Sequence, residues 1–239
     1  YLKFNKLFFV DECITRTNDP KDEFNANQSG GRIEQFDENN ILLSVGEFRA
    51  RALAQDLESI NGKVIKINTL SGKNEVVSFG HRNPQGMFFD KEKNIIILTE
   101  HGPSGGDEFN LVDLNTKTIK NYGWPISSYG EHYGSKVLNK KKYLDFPLYK
   151  SHSEYNFIEP LKYFTPSIAP SEIIKTDKNL YIASSMKDKS IYLFNLNEKN
   201  IMTNYKRIEV GERIRDLVYK NDTLYMFLEE TASIGVIKF

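Results

Sequence analysis

The chain has 239 residues, 39% of them hydrophobic, and its 32 Lys and Arg balance 32 Asp and Glu to a formal net charge of zero. That balance leaves no electrostatic footprint for nucleic acid or an acidic membrane surface. The single cysteine, Cys13, excludes an intrachain disulfide, and no apolar run approaches the ~18 residues of a membrane span.

The length fits one domain, and 16 Phe with 13 Tyr suit strands better than helices. The chain opens on "YLKFNKLFFV" (1–10), which reads as an N-terminal strand. It does not begin with Met, and no signal peptide is visible in it. The expectation is a longer protein whose start lies upstream. The polar, glycine-bearing "NANQSGGR" (25–32) follows, and then "FDENNILLSVGE" (36–47), a strand, a tight turn and a very apolar strand.

That design recurs in "FDKEKNIIILTEHG" (89–102), "IKTDKNLYIASS" (174–185) and "VYKNDTLYMFLEE" (218–230). Each copy is followed by a further strand: "GKVIKIN", "DEFNLVDL", "KSIYLFNL" and "GVIKF". A fourth strand, "EVVSFG" or "YKRIEV", follows the first and third copies. Four antiparallel strands per repeat make an all-β chain of propeller blades. An irregular β-sandwich is the alternative, although a sandwich need not repeat one motif four times. The anchors Leu42, Ile96, Leu180 and Leu224 are unevenly spaced, and the widest gap places an insertion at about 123–165. Within "RALAQDLESING" (51–62), Leu53, Leu57 and Ile60 share one face of a helical turn that Asn61-Gly62 ends.

With the strands of a blade labelled a to d, antiparallel order puts the a–b turns on one face. The b–c loops and d-to-a connections lie on the other. The a–b turns are bland. The opposite connections hold "GEFRARALAQD", "EHGPSGGDE", "SMKDK", "NANQSGGR", "GHRNPQG" and "GERIRD". Every unusual motif therefore falls at one mouth, where a rigid scaffold positions functional loops.

Gly102-Pro103 offers stiff backbone carbonyls, which suit a hard cation such as Ca²⁺. Asp107 and Glu108 follow as possible carboxylate ligands; the plain alternative is a turn with surface acids. His81, His101, His132 and His152 have no zinc spacing. Arg82 offers a guanidinium fork to a carboxylate or quinone oxygen; its alternative is a solvated turn residue. Arg213 and Arg215, two apart on a strand, face one side and call for an anion between them. Lys187 enters the same mouth. Four cations beside cation-binding carbonyls suit a polyanionic ligand held together with Ca²⁺.

The pieces "GGRI", "AQDL", "GHRNPQGM", "EHGPSGGDEFNL", "NYGWP", "SMKDK" and "RIRD", in this order, resemble the soluble quinoprotein aldose sugar dehydrogenases of the glucose/sorbosone dehydrogenase family. The likeness covers essentially the whole chain. It implies a six-bladed propeller, of which residues 1–239 form a single domain of about four blades lacking the first one to two. It also implies pyrroloquinoline quinone (PQQ) over Ca²⁺, an aldose sugar as substrate, a separate electron acceptor, and a periplasmic or secreted location. By resemblance, Arg82, Asn83, Lys187, Arg213 and Arg215 hold the cofactor, with Tyr133 as a further contact. The carbonyls of Gly102 and Pro103 hold the catalytic Ca²⁺. Glu108 and the backbone of Tyr122 hold a second, structural Ca²⁺.

One departure bears on chemistry. The family's general-base His is replaced by Gln28, a neutral carboxamide that takes no proton at pH 7. Loss of a positioned base lowers rate by about 10²–10⁴. Glu47, matching an acid that supports that His, is either a substitute base or a solvated loop acid. Two functions follow: a PQQ- and Ca²⁺-dependent oxidoreductase acting at the anomeric carbon, or a non-catalytic propeller that binds sugar, cofactor or protein. A second departure is the long stretch between Glu108 and Tyr122, which weakens the case for the second calcium.

Overall fold

The computed structural model describes residues 3–11, 13–15, 24–133 and 144–239. Residues 134–143 of the expected insertion lie outside the described residues, as do parts of the N-terminal stretch. The described part of residues 3–11 forms no strand, contrary to the expectation for "YLKFNKLFFV". Phe8 instead packs on the apolar face of Val45, Ile65 and Ile67.

Four antiparallel sheets follow one another along the chain. The first holds β1 (Gly30–Gln35), β2 (Asn40–Val45), β3 (Lys63–Asn68) and β4 (Asn74–Phe79). The second holds β5 (Pro84–Asp90), β6 (Ile95–Glu100), β7 (Asp107–Asp113) and, after the insertion, β9 (Lys162–Phe164). The short β8 (Lys120–Asn121) crosses back to pair in parallel with β4 of the first sheet. The third sheet holds β10 (Pro170–Lys175), β11 (Tyr181–Ser185), β12 (Ser190–Leu196) and β13 (Met202–Glu209). The fourth holds β14 (Ile214–Lys220), β15 (Thr223–Leu228) and β16 (Ser233–Lys238).

The first strands of the sheets, β1, β5, β10 and β14, are neighbours in that order. Each sheet is a meander running outward from its first strand, as in the blades of a β-propeller. A cluster of buried side chains fills each gap between blades. Leu42, Met87, Ile96 and Leu98 lie between the first and second. Phe109, Phe164, Tyr181 and Phe194 lie between the second and third. Ile182, Ile191, Leu217 and Leu224 lie between the third and fourth. Strands buried on both faces explain why the second strand of each repeat is so apolar.

All four a–b pairs break register where the first strand begins, at Gly30–Ile33, Pro84–Gly86, Pro170–Ile173 and Ile214–Asp216. A bulge leaves a backbone N–H without its ladder partner. In three blades a buried hydroxyl on the second strand accepts it. Arg32 N–H donates to Ser44 Oγ at 3.0 Å, Gly86 N–H to Thr99 Oγ1 at 2.9 Å, and Glu172 N–H to Ser184 Oγ at 3.2 Å. The hydroxyls also reach the next blade. Ser44 Oγ donates to the Pro84 carbonyl at 3.2 Å and Thr99 Oγ1 to that of Ser171 at 3.5 Å. Ser184 meets Ser171 Oγ, which reaches the Ile214 carbonyl.

The helical turn in the first b–c loop is a 3-10 turn, Arg51–Gln55. Its buried residues are Arg51 and Ala54, while Leu57 is exposed, so the expected Leu53–Leu57–Ile60 face does not form. Its end is held by the fully buried Lys63, whose ammonium donates to the carbonyls of Leu53, Ala54 and Asn61.

Candidate cofactor site at the mouth

The loops at the bulged ends of the strands enclose a cavity of about 510 Å³. Its walls include Gln28 from the connection into the first blade and Arg82 and Asn83 from the connection into the second. His101 and Gly102 come from the b–c loop of the second blade, Asp107 from the start of β7, Thr165–Ser167 from the connection into the third, and Lys187 from the b–c loop of the third. Tyr133 lines it as well. Of the residues singled out in the sequence, Gln28, Arg82, Asn83, Gly102, Tyr133 and Lys187 thus meet around one space.

Gln28 reaches the cavity because its backbone lies against Gly46. A Cβ on Gly46 would sit 2.0 Å from the Gln28 carbonyl oxygen. The segment is pinned there by Gly46 N–H to Ser29 O at 2.9 Å and Phe48 N–H to Gln28 O at 3.1 Å. With its amide oriented by its neighbours, Gln28 donates to Glu47 Oε1 at 2.5 Å and accepts from Arg82 Nη2 at 2.7 Å.

Glu47 is fully buried, not a solvated loop acid. Burial pushes its carboxyl up to about 7, against the opposing pull of Arg82 and Arg51. Its second oxygen has no hydrogen-bond partner among the described residues. Glu47 stands behind Gln28, outside the cavity lining.

Arg82 is also buried. Burial lowers the pKa of its guanidinium, and Glu47 and Tyr133 oppose that. Its Nη1 donates to the carbonyls of His101 at 2.9 Å and Gly102 at 2.7 Å. The guanidinium lies 5.2 Å from the centre of the Trp124 ring and 5.9 Å from that of Tyr133. Below it, Glu100 accepts from the Arg82 backbone N–H, from His81 Nδ1 at 3.0 Å and from Asn110 at 3.2 Å. Burial opposes charge on Glu100, yet His81 and these donors hold its pKa below the usual carboxylate range.

Asp107 serves the backbone. It accepts from the N–H groups of Gly102 at 2.9 Å and of Ile168 and Ala169 at 2.7 Å. Burial still pushes it up to about 6. It ties the Gly-Pro loop to the connection into the third blade. His101 donates from Nε2 to the Pro170 carbonyl at 2.7 Å, which leaves Nδ1 as its acceptor. Burial lowers its pKa to about 4, so the ring is neutral at pH 7.

Arg213 and Arg215 lie outside the cavity lining. The anion that joins them is Glu229 of the same chain, 3.3 Å from Arg213 Nε and 3.0 Å from Arg215 Nη2. Arg215 is near enough to disfavour charge on His101. Lys187 is exposed and has no ion pair among the described residues.

Glu108 and Tyr122 belong to a second, far smaller space of about 10 Å³ beneath Arg82. His152 stands there with Nε2 at 3.4 Å from Glu108 Oε1. Burial opposes charge on this imidazole, but Glu108, Glu159 and the Tyr122 carbonyl keep its pKa above the ordinary value. Sequence reasoning missed His101, Trp124, His152 and the Thr165–Ser167 wall. His101, inside the quoted Gly-Pro loop, and Trp124, inside the quoted "NYGWP", carried a signal that could have been followed.

The sequence model of the family described as Glucose / Sorbosone dehydrogenase matches residues 10–237. The chain belongs to the glucose/sorbosone dehydrogenase family.

The aldose sugar dehydrogenase YliI of Escherichia coli K12 is 29% identical over 231 residues, covering 87% of this chain and 58% of that protein. Quinoprotein glucose dehydrogenase B of Acinetobacter calcoaceticus is 35% identical over 89 residues, covering 37% of this chain and 16% of that protein. The crystal structure of the soluble aldose sugar dehydrogenase of E. coli in the apo form superposes with a TM-score of 0.71 at 28% identity. That match covers 88% of this chain and 64% of that one. The chain spans about half the length of the curated relatives that it matches along most of its own.

The mouth has the chemistry for a flat polycarboxylate. Among the described residues, Arg82 presents a buried guanidinium whose Nε has no partner, and Lys187 adds an ammonium in no ion pair. A cation at Gly102 would share its carbonyl with Arg82 Nη1, while the Pro103 carbonyl is met by the Ser167 hydroxyl at 3.4 Å. The carbonyl's second lone pair remains for such an ion. Glu108 and Tyr122 fit a cation poorly, because His152 stands between them and free space.

Proposed function

We propose that the chain forms the cofactor-binding portion of a PQQ- and Ca²⁺-dependent oxidoreductase that oxidises an aldose sugar at its anomeric carbon. The observation that carries this reading is the convergence of Arg82, Lys187 and the Gly102 carbonyl on one cavity. The quinoprotein name of the Acinetobacter relative supports it. When bound, PQQ supplies the hydride acceptor and Ca²⁺ polarises it.

The residues divide the remaining work. Arg82, Asn83, Tyr133 and Lys187 hold the cofactor, and Arg213 and Arg215 add positive potential from the rim. Gly102 and Pro103 supply carbonyl oxygen to Ca²⁺. Gln28 hydrogen-bonds a sugar hydroxyl from the wall. Glu47, though poised near neutrality, is separated from the cavity by Gln28, and a carboxamide passes no proton. Its part is to orient Gln28. His101 is neutral at pH 7: its Nε2–H is committed to the Pro170 carbonyl, and its Nδ1 offers an acceptor. A periplasmic or secreted location and a separate electron acceptor go with this reading.

The replacement of a base by Gln28 favours a second reading, a propeller that binds sugar or cofactor without turnover. Dye reduction with an aldose, after PQQ and Ca²⁺ are added to the full-length protein, separates the two. Turnover by the wild type supports the dehydrogenase, and Gln28→His should then raise it about 10²-fold or more. Tight PQQ binding with no turnover by the wild type supports the binding module, and activity gained in Gln28→His would show only that the rest of the scaffold is intact. Absence of PQQ binding overturns both.

A further inference from the structure

The residues that family likeness assigns to a second calcium are already occupied by a side chain. His152 is 1% exposed and stacks on Tyr129, with ring centres 5.2 Å apart and planes at 21°. Tyr129 stacks in turn on Tyr163 at 3.8 Å, and its hydroxyl donates to Glu159 at 2.7 Å. The imidazole is therefore held from behind. Its Nε2 faces Glu108 Oε1 at 3.4 Å, a close polar contact rather than an aligned hydrogen bond. The other Glu108 oxygen accepts from Asn110 at 3.1 Å.

Ca²⁺ takes six to eight oxygen ligands at about 2.3–2.6 Å. Two carboxylates line this space: Glu100 is taken up by His81, Asn110 and the Arg82 N–H, and Glu108, like the Tyr122 carbonyl, already faces His152. Ser127 and Ser128 line it too, but Ser127 Oγ donates to the Tyr149 carbonyl and Ser128 Oγ accepts from Gly130 N–H. The volume left, about 10 Å³, admits at most one water. Among the described residues no three His, Cys, Asp or Glu are placed to hold a metal.

We propose that His152 is a built-in substitute for a bound cation: its ring closes the space between Glu108 and Tyr122 and keeps Ca²⁺ out. The ring then does what an ion would do there. It ties strand β7 to the turn at 122–129 and anchors the returning end of the insertion. This inference stands apart from the reading of the mouth and needs no PQQ.

Calcium binding to the full-length protein without PQQ tests it, by calorimetry and by thermal melting with Ca²⁺ or EGTA. For the wild type, the expected result is no Ca²⁺ site that Glu108→Gln removes, and no change of Tm that depends on Glu108. In His152→Asp a carboxylate replaces the ring. A Ca²⁺ site and a Tm rise of several degrees on adding Ca²⁺ are expected, and both vanish in His152→Asp/Glu108→Gln. A wild-type Ca²⁺ site that Glu108→Gln abolishes overturns the proposal. So does a folded His152→Asp protein that ignores Ca²⁺. If His152→Asp does not fold, the wild-type comparison with Glu108→Gln still decides. A Ca²⁺ ion that binds at Gly102 is unaffected by Glu108→Gln and leaves the inference standing.

Discussion

The Glu47 carboxylate and the Arg82 guanidinium are joined through one side chain, the Gln28 carboxamide, which donates to the first and accepts from the second. Two buried opposite charges are thus held apart by a neutral group. Among the described residues neither Glu47 nor Arg82 is fully satisfied, since Glu47 Oε2 and Arg82 Nε have no partner there. Such a trio responds to pH and to substitution in ways that can be measured.

Glu47 titrates near 7 in the fold, above its ordinary value of 4.5. Between those values the native state binds more protons than the unfolded chain, so its contribution to stability falls as pH rises through this window. Glu47→Gln removes the effect while keeping an acceptor for Gln28. Relative to wild type, the variant is expected to be unchanged near pH 4.5. It gains up to about 3 kcal/mol above pH 7, at about 1.4 kcal/mol per pKa unit. Urea denaturation at pH 5 and pH 8 checks this; an equal difference at both rules it out.

Arg82 bonds Gln28 and two backbone carbonyls at once, a geometry that suits a planar fork. Arg82→Ala is expected to weaken PQQ binding by about 10–100-fold, the range for a charged hydrogen bond. Arg82→Lys restores the charge but less than half of the lost binding energy. Equilibrium dialysis measures both, and full recovery by lysine would show that charge alone matters.

Glu229 pairs with both Arg213 and Arg215 and offsets one of their two positive charges. Its replacement by Gln leaves the rim more positive. Affinity for PQQ or another polycarboxylate should rise roughly 3–10-fold at low salt and approach wild type at 1 M salt, where the Debye length is about 3 Å. Unchanged affinity at low salt would place the two arginines outside the working field of the cavity.

Thr99→Val keeps shape but removes the hydroxyl that accepts from Gly86 N–H. A buried N–H left alone costs about 1–3 kcal/mol. Chemical denaturation should show that loss with an unchanged slope. A neutral effect would mean that water reaches the bulge.

The blades were legible because strand, tight turn and apolar strand recur four times in order. The mouth was legible because glycine, proline and arginine cluster only in the connections of one polarity. What stayed hidden depends on approach between distant segments. Glu47 reads as a loop acid until Gly46 lets the Gln28 backbone close over it. Arg213 and Arg215 call for an anion, and nothing local says that Glu229 supplies it across a strand pair. The "HSE" holding His152 gives no sign of Glu108, forty-four residues earlier. The expected first strand failed because apolar periodicity also describes a segment lying across a sheet's face.

The bulge hydroxyls carry a mechanical consequence. Ser44, Thr99 and Ser184 each clamp an inner strand of their own blade, and each is wired to the blade beyond, Ser184 by way of Ser171. A tug on one blade is thereby felt as lost acceptors in the next. The array should resist peeling from its side and come apart in coupled pairs, with the mouth loops, rooted at those same bulges, losing their shape at the first rupture.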